Sequence, residues 1–217
     1  MSEHAAPVQS PFLQHHFTEM EQQAETSKLG MWLFLVTEVL LFGGLFVAYG
    51  ILSARHHEAF RAAHQHLDHV LGILNTGVLL LSSFTMVMAV LAARENRRRQ
   101  LIVFLILTLA LAAVFLGVKY TEYSHKFHEG LLPGKFYSHA GDAVPGQFMF
   151  FSFYFMMTGL HGLHVIAGMI AIGWVLRRAI AGHFSGAYYG PVDLVGLYWH
   201  LVDIIWIYLF PLLYLVR

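Results

Sequence analysis

Five side chains that can carry a proton or hold a metal lie within long runs otherwise free of charge. They are Glu38 in "LFLVTEVLLFGG", His161 and His164 in "TGLHGLHVIAG", and His200 and Asp203 in "LYWHLVDIIWIYLF". Spacing by three puts His161 and His164 on one helix face about a turn apart, which is how many metal sites are built. The same spacing also suits hydrogen bonding to a neighbouring helix, or contact with a lipid headgroup or a proton path. His200 and Asp203 share a face in the same way, with Trp199 and Trp206 nearby, and read as an interhelical contact. Glu38 is the most demanding of the five. A carboxyl deep in an apolar run must be protonated or paired, so it reads either as a structural partner or as a group that handles protons or lipid.

These side chains need scaffolding, and the composition says of what kind. With 57% apolar, 15% aromatic and 12% charged residues, and a positive mean hydropathy, the chain reads as an integral membrane protein. The formal charge of zero gives no reason to expect nucleic acid. With no cysteine, disulfides, thiolate-held iron–sulfur clusters and thiolate-bridged copper are excluded.

Five segments are long enough, at 1.5 Å per helical residue, to cross a hydrocarbon core of about 30 Å. They run over about 29–53, 70–93, 101–123, 143–176 and 194–216, with Lys119 and Glu122 expected near the membrane interface. The fourth exceeds one crossing, so it should start outside the core or tilt. The fold expected is an all-α bundle of five transmembrane helices in one domain, residues 29–217, behind a polar segment, residues 1–28, that does not resemble a cleaved signal peptide. The loop "ARENRRRQ" and the pair Arg177 and Arg178 place two short loops in the cytoplasm, with the N-terminus inside and the C-terminus outside. Glu38, Asp203 and the histidine pair then lie at similar depth, about 14 Å along their spans for Glu38 and Asp203 and about 18 Å for His164. Gly159, Gly162 and Gly168 flank the pair and would let another helix approach.

The remaining polar features read as surface. His4, His15, His16, His56, His57, His64, His66, His69 and His139 fall in polar or loop segments, where solvation is the first expectation and surface metal binding the second. "LLPGKF" and "AGDAVPG" mark an irregular loop from Tyr123 to Gly146. Phe150, Phe151, Phe153 and Phe155 read as lipid-facing or core packing rather than a cofactor pocket.

From about Leu29 to Leu215 the chain resembles subunit III of the haem-copper respiratory oxidases. The resemblance rests on "GMWLFLVTEVLLFGGLFVAY", "ILNTGVLLLSS" with Asn75 and Thr76, "KYTEY", "TGLHGLHVIAG" and "LYWHLVDIIWIYLF", in the family's order on the family's spans. It implies an accessory helical subunit of a proton-pumping terminal oxidase, docked chiefly on subunit I and also beside subunit II. Such a subunit carries no redox centre, holds structural phospholipid and supports proton uptake, while haems and copper reside in its partners. Seven-span members have two further helices ahead of the glutamate, so this chain is similar to the five-span bacterial form of the inner membrane. Only three histidines lie within spans, too few for the ligands of two haems and a copper, so no metal bound by this chain is expected. Two alternatives stand beside this one: a companion of nitric oxide reductase, and a small proton or metal transporter relaying through Glu38, His161, His164 and Asp203. The transporter lacks the inverted repeat and broken spans such a fold uses.

Overall fold

A computed structural model describes residues 13–15, 17–64, 67–132, 146–186 and 188–214. His4, His16, His66, His139, most of the irregular loop before Gly146 and the last residues of the fifth span lie outside the described residues. Within them the chain is helical: α1 (Met20–Arg55), α2 (His57–His64), α3 (His69–Arg94), α4 (Arg98–His128), α5 (Gln147–Ile180) and α6 (Gly190–Tyr214). All but α2 are long and apolar enough to cross a membrane.

The helices overrun the apolar stretches that announce them. α1 begins at Met20, inside the polar leading segment, and α4 runs on to His128. α5 has 34 residues, or about 51 Å, so it projects beyond a single crossing. Helix ends need partners for their free backbone groups, and the boundaries follow from where those partners exist. Asp68 caps α3 by accepting from the Val70 and Leu71 amides at 2.9 and 3.2 Å. α5 stops at Gly182, whose φ of 79° turns the chain, so that Gly182 N bonds Ala179 O and His183 N bonds Arg178 O.

Consecutive spans alternate in direction, and α3 packs most extensively on α4 and then on α6. The α3–α4 turn and the α5–α6 loop share one end of the bundle and are clasped together there. Asn96, at φ 59°, accepts from Gly186 N at 2.6 Å, Arg94 pairs with Asp193 at 3.0 Å, and Arg98 donates to the carbonyls of Ala179 and Ile180. α1 is attached more sparsely. Its buried residues, Leu35, Phe42 and Tyr49, recur at a seven-residue spacing and form one narrow seam, while Leu33, Val36, Leu40 and Val47 face outward. That exterior is what lipid requires of a spanning helix.

Candidate functional site

Glu38 and His164 meet across the seam between α1 and α5. The Nε2 of His164 is 2.7 Å from Glu38 Oε2, and its Nδ1 is 2.8 Å from the Leu160 carbonyl. Both side chains are about 15% exposed, at 14% and 15%. A carbonyl oxygen only accepts, so Nδ1 carries a proton. One further proton then lies between Nε2 and Oε2. It makes the pair imidazolium and carboxylate in one position, and neutral imidazole and carboxylic acid in the other. Net charge is zero either way, so the proton can cross the contact without a change of charge at membrane depth. Phe42 packs edge-on to the His164 ring, with centroids 5.2 Å apart. Tyr198 of α6 donates to the His164 carbonyl at 3.1 Å, so α6 also holds this turn of α5.

His161, one turn away, points elsewhere. It is fully buried among α4, α5 and α6, with Phe115 edge-on at 5.6 Å and Trp206 at 5.3 Å between ring centroids. Neither of its ring nitrogens has a hydrogen-bond partner. The two histidines therefore do not converge on one point, and among the described residues no three His, Asp or Glu side chains are grouped as a metal site.

His200 and Asp203 are both directed toward α3. Ser83 Oγ lies 2.8 Å from His200 Nδ1 and also neighbours Asp203, whose buried carboxylate has no partner of hydrogen-bonding geometry. Two indoles complete this α3–α6 seam: Trp199 donates to Ser82 Oγ at 2.8 Å and Trp206 to Thr76 Oγ1 at 3.1 Å. Asn75 is buried in the same helix with its amide unpartnered.

The glycines divide. A Cβ on Gly168 would lie 2.7 Å from the Trp199 ring, so α5 and α6 touch there through the missing side chain. Gly159 has only the Tyr123 hydroxyl at 3.9 Å, and Gly162 has open space.

A second polar cluster was not anticipated from sequence. Lys119 and Glu122, expected near the interface, are buried, with side chains 9% and 4% exposed and 2.9 Å apart. The hydroxyls of Tyr154 and Tyr214 donate to Glu122 Oε1 at 2.8 and 2.6 Å, and Lys119 Nζ reaches Tyr214 at 2.9 Å. Lys119 also stands 4.9 Å over the Trp206 ring. Beside it Tyr123 and Thr158 share a hydrogen bond of 2.5 Å. The signal was the i,i+3 charge pair in "KYTE", which puts both charges on one helix face; their position at a span end suggested water instead. Phe150 and Phe151 are buried beneath this cluster as core.

Comparison with known proteins agrees along nearly the whole chain. The family model described as cytochrome c oxidase subunit III matches residues 8–216. Cytochrome c oxidase subunit 3 of Thermostichus vulcanus is 34% identical over 188 residues, covering 86% of each chain. Quinol oxidase subunit 3 of Bacillus spizizenii is 33% identical over 200 residues, covering 90% of this chain and 91% of its own. Cytochrome bo(3) ubiquinol oxidase subunit 3 of Pseudomonas aeruginosa is 29% identical over 202 residues, covering 93% and 90%. A match of this extent, on a bundle of five membrane-length helices, establishes that the chain belongs to the cytochrome c oxidase subunit III family.

Proposed function

We propose that this chain is the accessory third subunit of a proton-pumping haem-copper terminal oxidase in a bacterial plasma membrane. The family match over nearly the full chain carries this reading. In it the chain docks on subunit I, lies beside subunit II, binds structural phospholipid along its apolar exterior and performs no redox chemistry itself. Its N-terminus lies in the cytoplasm and its C-terminus outside, an orientation supported by the arginines gathered at one end of the bundle, Arg94, Arg97, Arg98, Arg99, Arg177 and Arg178. The relatives are named for cytochrome c, quinol and ubiquinol oxidases, so one accessory fold accompanies different electron donors. Neither the nitric oxide reductase companion nor the transporter gains support from them.

Within this role Glu38 and His164 hold and pass a proton at mid-membrane. The supporting observation is the 2.7 Å contact with Nδ1 fixed on a carbonyl, which leaves one mobile proton shared between Nε2 and Oε2. Glu38→Gln keeps the shape and an amide N–H to donate to Nε2 but removes the titratable site. The oxidase carrying it should assemble with full haem and copper content, while sustained turnover or pumping falls severalfold. Steady-state turnover over many cycles and proton release from vesicles read this directly. Loss of the subunit from the purified complex would show the pair to be structural instead, and wild-type turnover, pumping and lifetime would remove it from proton handling.

A further inference from the structure

The short helix α2 has the composition of a surface loop, yet it is docked. Its sequence, "HEAFRAAH", buries Ala59, Phe60, Ala63 and His64. Phe60 sits edge-on to Tyr49 of α1 at 5.4 Å and to Phe150 of α5 at 5.6 Å. His64 is 6% exposed, its ring 6.2 Å from that of Phe150, and its Nε2 is buried without a partner. His69, the first residue of α3, stacks on it at 5.7 Å with the rings 9° from parallel. Two imidazoles face to face suit neutral rings. A proton on His64 would be buried against phenyl rings and, with His69 also protonated, opposed by a like charge.

We propose that α2 is a pH-sensitive latch, released from α1 and α5 when the buried His64, stacked on His69, takes up a proton. The charged groups around it, among the described residues, do not offset this. α2 itself carries His57, Glu58 and Arg61, all exposed, and Arg55 and His56 of the preceding turn are exposed as well. Asp68 has its Oδ1 committed to the cap of α3. On α4, Lys126 lies within electrostatic reach of Asp68, and Glu129 follows it. α5 offers Phe150, and its first titratable side chain, Tyr154, is bound to Glu122. Burial lowers the proton affinity of His64, a hydrogen bond to its own backbone offsets part of this, and the charge of a protonated His69 adds a smaller lowering. The docked state thus favours the neutral ring. Its stability is full above the ordinary imidazole range and declines as pH falls through that range. Because α2 pins Tyr49, the last buried residue of the sparse α1 seam, its release frees the end of α1. That the latch senses pH outside the cell rests on the orientation proposed above; the latch itself does not.

Hydrogen exchange of the purified oxidase complex in detergent tests the latch whichever way the chain lies in the membrane. Between about pH 8 and about pH 5, after correction for intrinsic rates, amides of residues 57–64 should lose protection by about tenfold for each unit by which burial depresses His64. His64→Gln and His64→Phe should each abolish the dependence, the second with α2 protected throughout, and His69→Gln should shrink it. Unchanged wild-type protection across that range, or an equal loss in His64→Phe, overturns the proposal.

Discussion

Glu122→Ala should destabilise the bundle by about 3–5 kcal/mol, because it leaves the Lys119 ammonium buried without its counter-charge and the hydroxyls of Tyr154 and Tyr214 without their acceptor. This is the largest loss expected from any single polar substitution among the described residues. Partner removal, rather than the worth of the pair, sets the size. The double change Lys119→Met with Glu122→Leu removes both charges together and should recover much of the loss, since an apolar replacement of similar volume avoids the desolvation cost. Thermal unfolding of the purified chain, followed by size exclusion, measures the ordering wild type, double, single. A single variant as stable as wild type would mean that water or lipid reaches Lys119.

Gly168→Leu comes second. With a Cβ already 2.7 Å from the Trp199 ring, a leucine cannot be housed unless α5 and α6 separate, and Trp199 would then lose its bond to Ser82. Overpacking of a tight contact costs about 1–3 kcal/mol or more, and here it falls on the interface that joins α5 to the α3–α6 core. Recovery of folded chain from membranes should drop sharply. Gly162→Leu is the control on the same helix, since its Cβ meets open space and the chain alone should fold normally. A similar yield for the two variants would contradict the close α5–α6 approach.

These two positions show how far sequence carries. The spans were legible because lipid tolerates few charges: a run such as Val70 to Ala93 has no other reading. Their ends were not, because a helix can continue past the hydrocarbon as long as its amides find partners, as α1 does from Met20 and α4 does to His128. Depth also brought Glu38 level with His164. It could not say that His161, three residues earlier, turns to Phe115 and Trp206 instead, because helical spacing gives a shared face but not the neighbours on it. Lys119 and Glu122 misled for a related reason. A charge pair near a span end suggests water, whereas two tyrosines from other helices supply the polar surroundings here, one of them, Tyr214, 92 positions from its partner Glu122. α2 was hidden because it has only eight residues, three of them His or Arg in its last turn and first position, and so mimics a solvated loop between two spans.

In the function proposed, the subunit belongs to the oxidase but holds none of its redox centres. The most direct measurement isolates the native complex through a tag on this chain, records its optical spectrum and metal content, then detaches the tagged chain and repeats both. Haem and copper should come with the complex and stay entirely with the remaining subunits. Haem, copper or zinc retained in stoichiometric amount by the detached chain, and lost on His161→Ala or His164→Ala, would contradict it.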